Sequence, residues 1–104
     1  IQSGSLLFVS GVMPIDPTSN TLVENTIEAQ AKQVMKNIDG VLKAAGYTVD
    51  DVVKTTCFLS DINNFAAFNE VYGNYFTSKP ARSCMAVKDL PKAALVEVEV
   101  IANK

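Results

Sequence analysis

Chemistry enters this 104-residue sequence at two short runs, Lys79-Pro80-Ala81-Arg82-Ser83-Cys84-Met85 and Leu95-Val96-Glu97-Val98-Glu99-Val100-Ile101. Pro80 fixes its own φ and pushes Lys79 toward an extended conformation, so the chain is expected to enter Arg82 from a stiff, non-helical approach. Arg82 carries a planar fork of donors that matches a carboxylate or a phosphate in bidentate geometry. Cys84 lies two residues on, which in a strand puts both side chains on one face. In the second run Glu97 and Glu99 alternate with Val96, Val98 and Val100. A strand then carries two carboxylates on one face and three branched apolar side chains on the other. An anion clamp, a thiol and two carboxylates thus fall on neighbouring strand-like pieces. A surface arginine and a half-solvated edge strand would satisfy the same spacing, because charged residues are mostly exposed.

What is absent narrows the chemistry. The chain has no histidine, which removes the commonest general base, the Ser-His and Cys-His nucleophile pairs and the usual zinc ligand. Cys57 and Cys84 are far apart in sequence and form no C-x-x-C pair, so a Cys/His metal site is excluded. A disulfide between them stays open, although two reduced thiols suit a cytosolic type of protein better. Any catalysis must use Arg, Glu, Asp, Tyr, Ser, Cys or backbone groups. The formal net charge is −2, and no run of basic residues exists to form a nucleic-acid surface. No stretch of about 18 apolar residues offers a membrane span, and no secretory signal is visible. These readings together suit a cytoplasmic protein, or a mitochondrial one in a eukaryote. The length implies a single domain, residues 1–104, small enough that oligomerisation would help it bury surface.

The elements that must position these residues follow from hydrophobic period. Leu6 to Ser10 reads as a buried strand closed by Gly11 and Pro14. Gly11 serves either a turn or a close backbone approach to a ligand. Asp16 to Asn20 is a loop joining two antiparallel pieces, with Thr21 to Val23 returning. Asn25 or Thr26 caps a long helix whose buried face carries Ile27, Ala31, Val34, Ile38, Val41, Leu42 and Ala45. Gln30, Lys32, Gln33, Lys36 and Lys43 take its other side, Met35 packs, and Gly46 ends it. Val52 to Leu59 is a strand that holds Cys57 as a small buried hydrophobe. Asp61 or Asn63 caps a second helix with the stripe Phe65, Phe68, Val71, Tyr72, Tyr75 and Phe76, a pattern that reads as core. Asn69 lies beside that stripe, solvated or within reach of a ligand. Ser83 to Val87 and Leu95 to Ile101 complete the strands, the last one central because its valine face is so apolar. The order predicts an α+β layer with two helices on one face of a sheet.

Pro80-Ala81-Arg82-Ser83, Leu90-Pro91-Lys92 and Val96-Glu97-Val98-Glu99, in that order, closely resemble the C-terminal signature of the reactive intermediate deaminase family, also called Rid or YjgF. Leu7-Phe8-Val9-Ser10-Gly11-Val12-Met13-Pro14 and Val53-Lys54-Thr55-Thr56-Cys57-Phe58-Leu59 agree with it too, so the resemblance spans nearly the whole chain. It implies a chorismate-mutase-like, mixed β-sheet with two helices on one side, assembled as a homotrimer with a site in each cleft between subunits. It also implies hydrolysis of enamine and imine intermediates, typically 2-aminoacrylate in its 2-iminopropanoate form, to a 2-keto acid and ammonia. Arg82 would hold the substrate carboxylate and Glu97 would handle water and proton. Cys84, Ser10, Gly11 and Asn69 would contact the substrate. The protonated imine is already electrophilic, so no metal, cofactor or covalent nucleophile is required. The family's usual leading segment, ending Gly-Pro-Tyr-Ser-Gln with a tyrosine that lines the site, would precede Ile1. Only Thr77-Ser78-Lys79 separates Phe76 from Pro80, where relatives often carry several more residues. Were both segments truly missing, the pocket would be more open.

Two other readings come with the resemblance. One is a translation inhibitor with endoribonuclease activity, against which the acidic balance and the lack of a basic aromatic surface both count. The other is a non-catalytic trimer that binds small carboxylates or offers a chaperone-like surface.

Overall fold

The apolar stripe that begins at Ile27 forms a single helix, α1 (Ile27–Ala44), in the computed structural model, which describes all 104 residues. Of the two expected caps it is Thr26 that acts: its Oγ1 accepts the Ala29 N–H at 3.2 Å. Glu28 in the first turn and Lys43 in the last complement the helix dipole, and Gly46 follows the C-cap at φ +82°. Two positions differ from the periodic expectation. Val41 is 42% exposed, and Gln30 is buried. Gln30 turns inward because the Leu95 N–H, at the start of the last strand, needs an acceptor; Gln30 Oε1 takes that proton at 2.8 Å. Left unpaired, a buried amide costs about 1–3 kcal/mol.

Seven strands surround this helix: β1 (Gln2–Ser3), β2 (Leu6–Val12), β3 (Ile15–Asp16), β4 (Thr21–Leu22), β5 (Val52–Leu59), β6 (Ala81–Ala86) and β7 (Val96–Asn103). Five of them form one sheet in the order β1-β2-β7-β5-β6, and β3 and β4 form the small hairpin expected around residues 16–20. The pairs β1/β2, β2/β7 and β7/β5 are antiparallel, whereas β5 and β6 are parallel. The second helix, α2 (Phe65–Tyr75), makes the crossover that a parallel pair requires. The sheet is therefore mixed, with β7 in its middle as its apolar face demanded. Asp61 caps only the short 3₁₀ turn Ile62–Asn64, its Oδ1 accepting the Asn63 N–H at 2.9 Å. That turn runs straight into α2, which has no side-chain cap of its own.

Both helices pack on the same side of the sheet. Beneath them lie Val96, Val98, Val100 and Ala102 of β7, Thr55, Cys57 and Leu59 of β5, and Leu7 of β2, all buried. Each valine buried in this way contributes about 1.5–3 kcal/mol. No helix covers the opposite face, where alternation puts Phe8 and Ser10, Lys54, Thr56 and Phe58, Ser83 and Met85, and Glu97, Glu99 and Ile101. No helix is long and apolar enough to cross a membrane.

Candidate active site

Arg82 stands on the edge strand β6, directly paired with Thr55 of β5 and therefore on the helix side of the sheet. Its guanidinium reaches α2. Nη1 donates to Asn69 Oδ1 at 2.6 Å, and the guanidinium carbon lies 4.6 Å from the Tyr72 ring centroid and 5.5 Å from that of Phe65. Phe65, Asn69 and Tyr72 are spaced i, i+4, i+7, so one face of α2 presents all three. A carboxylate never completes the arrangement: the one ion pair of the molecule is Lys43–Asp39, on α1. Arg82 thus keeps its full charge and most of its donors, beside a cavity of about 460 Å³ lined by Asn69, Tyr72, Phe76, Lys79 and Pro80 among others. The approach to it differs from expectation. Lys79 is not extended but left-handed, φ +57°, at the end of the turn after α2 in which its N–H donates to the Phe76 carbonyl at 3.2 Å.

Cys84 shares the Arg82 face, as two-residue spacing requires, and is directly paired with Cys57. The two cysteines, distant in sequence, are neighbours across the parallel pair, and both are free thiols. Burial pushes the Cys57 thiol up to about 12, with a smaller contribution from Cys84. Burial also raises Cys84, against an opposing pull from the Arg82 charge. Neither is a ready thiolate at neutral pH.

Glu97 belongs to the other face. It lies opposite Phe58 of β5, on the helix-free side, and β2 shapes its surroundings. The register of β2 on β7 shifts between Val9 and Val12, so Ser10 and Gly11 stand where β7 offers one residue. Gly11 does not make the turn after β2; it lies inside the strand. A Cβ built on it would overlap the Glu97 carboxylate and approach Glu97 Cδ to 2.6 Å. The missing side chain is the space in which Glu97 sits. Glu99, on the same face, is more exposed and borders a separate cavity of about 260 Å³ with Ser10, Lys54 and Thr56.

The sequence-derived residues therefore fall into two groups: Asn69, Arg82 and Cys84 on the helix side, and Ser10, Gly11 and Glu97 on the open side. Within one chain Arg82 and Glu97 do not meet. Arg82 is level with Thr55 and Glu97 with Phe58, with β5 between their strands. That is roughly 10 Å along the strands and roughly 10 Å across them, on opposite faces. Tyr72, Phe65 and Thr55 are additions that sequence reasoning placed in the core or left without a role. The i, i+4, i+7 relation through Asn69 was the signal for the two aromatics; nothing local marked Thr55.

A family profile described as Endoribonuclease L-PSP matches residues 1–104. A RutC family protein of Pyrococcus horikoshii is 49% identical over 105 residues, covering all of this chain and 83% of the relative. Because that alignment is only one residue longer than this chain, the short Thr77–Lys79 link is not a several-residue loss against this relative. Among solved structures, a Rid-family protein of unknown function from Yersinia pestis superposes with a TM-score of 0.96 at 50% identity, covering 99% of this chain and 83% of that one. Escherichia coli TdcF with bound serine superposes with a TM-score of 0.94 at 36% identity, covering 100% and 84%. The chain belongs to the L-PSP family of endoribonuclease-designated proteins, the Rid/YjgF family, and its two helices on one face of a mixed sheet are that family's fold.

Proposed function

We propose that this protein hydrolyses reactive enamine and imine intermediates of 2-amino acids, with 2-aminoacrylate and its 2-iminopropanoate tautomer as the typical substrate, and that it works as a homotrimer with sites between subunits. The observation that carries this reading is the Arg82 guanidinium, held by neutral groups alone and left with free donors beside a cavity. Such a fork is built to receive an anion, and a carboxylate matches it in bidentate geometry. The serine bound in the related TdcF structure carries that group.

The chemistry needs little more. Arg82 holds the substrate carboxylate and so fixes the imine carbon relative to a water. Glu97 takes a proton from that water as its oxygen bonds to the imine carbon, and the C=N electron pair moves onto nitrogen. Glu97 returns the proton to the nitrogen of the resulting carbinolamine and then takes the hydroxyl proton as the C=O bond forms and the C–N bond breaks, releasing ammonia and the 2-keto acid. Asn69 holds the Arg82 fork, and Gly11 leaves the space in which Glu97 sits. The separation of Arg82 and Glu97 within one chain supports a site assembled from two subunits, the helix-side group of one meeting the open-side group of the next. An endoribonuclease reading, after the family's description, would ask an acidic chain with no histidine and a single arginine to gather and cleave a polyanion, which its charge disfavours.

Two measurements test this. The first generates 2-aminoacrylate with a dehydratase and follows its decay with and without the protein; acceleration with stoichiometric 2-keto acid is expected, and an unchanged decay rejects the activity. The second mixes Arg82→Lys and Glu97→Gln chains by co-expression. Sites shared between neighbours in a cyclic trimer recover about one quarter of wild-type activity, whereas a site within one chain recovers none.

A further inference from the structure

We propose that Tyr72, pinned by the buried hydroxyl of Thr55, is a positioning residue that aims the Arg82 fork at the substrate carboxylate. The inference rests on the reading of Arg82 as the carboxylate clamp and goes beyond it by naming what holds the clamp in place.

An arginine that serves an anion needs a fixed plane without a fixed counter-charge. A carboxylate neighbour would supply the first and spoil the second, since it would occupy the donors. Here no carboxylate pairs with Arg82, and a single donor is spent, on the neutral Asn69. The plane is set by rings instead: Tyr72 at 4.6 Å and Phe65 at 5.5 Å from the guanidinium carbon, an attraction of cation to aromatic face that leaves the edge donors free.

Of the two rings, Tyr72 is the one that cannot move. Its hydroxyl lies 2.7 Å from Thr55 Oγ1, and both residues are buried. The Phe76 ring packs at 4.6 Å and the Phe68 ring at 5.8 Å. Phe65, by contrast, is 36% exposed. Thr55 is also the residue paired with Arg82 across β5 and β6. The strand pair therefore ties both ends of the device together: one residue anchors the ring, and its partner carries the guanidinium laid on that ring. A threonine buried in a sheet core, where an isosteric valine would fill the same space, makes sense as this anchor. Burial raises the phenol of Tyr72 above its ordinary value, so its hydroxyl stays protonated beside Thr55.

A pre-aimed fork lowers the ordering cost of binding. Carboxylate binding is held equally in ground and transition states, so its loss appears in KM and not in kcat. Arg82 is the only arginine in the chain, so its Nε–Hε pair gives a single, unambiguous resonance in a ¹⁵N–¹H spectrum of the intact protein. In wild type that resonance is expected to be displaced from the free-arginine position by the ring current of Tyr72, and to move again on addition of pyruvate. Tyr72→Leu should return it toward the free position, weaken pyruvate binding about five- to tenfold and raise KM by a similar factor with kcat nearly unchanged. Tyr72→Phe and Thr55→Val, each of which removes the hydroxyl contact and frees the ring without removing it, should both give an intermediate shift. A wild-type resonance at the free position overturns the proposal. So does a resonance that stays displaced, with unchanged pyruvate affinity, in folded Tyr72→Leu; if that variant does not fold, an unmoved resonance in Thr55→Val overturns it. A protein that shows the expected shifts but fails to hydrolyse the imine loses the proposed reaction and keeps the positioning role.

Discussion

The helix side and the open side of this sheet prepare their charged groups in opposite ways. Arg82 is held by contact: two rings, one amide and a buried hydroxyl anchor behind them. Glu97 is held by omission, lying in space left by the absent side chain of Gly11 at a bulge. The contrast suits the roles proposed for the two groups. A guanidinium keeps its proton at every working pH and gains from being immobilised as a receptor. A carboxylate that passes a proton back and forth needs room and solvent-sensitive basicity more than fixed partners. Within one chain the sheet separates these two environments.

That comparison breaks most visibly at Glu97. Glu97→Gln keeps the shape and removes the proton acceptor, and should lower kcat by about 10²-fold or more. Glu99→Gln, on the same face but without the Gly11 niche, should be mild. Rates of 2-keto acid formation for both variants, with assembly checked, decide it; equal small losses would return both residues to the role of solvated surface charges, and a larger loss at Glu99 would move the proton transfer there.

Arg82→Lys retains the charge and discards the fork. Losing the bidentate, charge-assisted contact should lower kcat/KM by roughly ten- to a hundredfold with the fold intact. Near-wild-type turnover would mean that another group receives the carboxylate.

Gly11→Ala tests the omission itself. The atom a Cβ would strike is the end of a flexible side chain, so the strand should survive and the Glu97 carboxylate should swing aside. Turnover should fall about tenfold, in line with small misplacements of a reacting group, while pyruvate affinity at Arg82 stays as it was. Parallel losses of both would show that the two sides are not independently built.

The smallest effects belong to the two thiols on the helix side. Cys84→Ala should keep turnover within about threefold, since no covalent intermediate is needed and the thiol is raised by burial; complete loss in a folded variant would reassign Cys84 as a nucleophile. Cys57 bears on stability. Its folded-state value is pushed up to about 12 by burial, so the unfolded chain gives up this proton first as pH rises. The stability it contributes is full below the ordinary thiol range and declines from there toward pH 12. Urea unfolding followed from neutral to alkaline pH should show that decline, and Cys57→Ala should make it shallower; an identical slope in the two proteins would contradict the assignment.

Much of the fold was legible because local period and burial agree. The stripes of α1 and α2, the eight residues of β5 and the Val/Glu alternation of β7 each specify their element and its inward face without outside help. The misreadings arose where a distant group intervened. Gln30 looked solvent-facing until the Leu95 amide required it, and Gly11 looked like a turn until Glu97 occupied its empty side. Lys79 was expected to be extended, but it ends the turn after α2 with a left-handed backbone. The same holds for the site. Arg82, Cys84, Glu97, Ser10, Gly11 and Asn69 could be picked out as candidates from motifs, but Thr55 could not, because its contact with Tyr72 and its pairing with Arg82 exist only once α2 and β6 lie against β5.

By itself, then, the sequence determined which residues are chemically able and which face of its own element each one takes, since these depend on side-chain type and on the two- and 3.6-residue periods alone. Only the tertiary structure decided which faces look at each other. Pairing β6 parallel to β5 and inserting β7 between β5 and β2 is a choice among distant strands, made by the burial of the whole valine face under two helices. That choice put Arg82 on the covered side and Glu97 on the bare one.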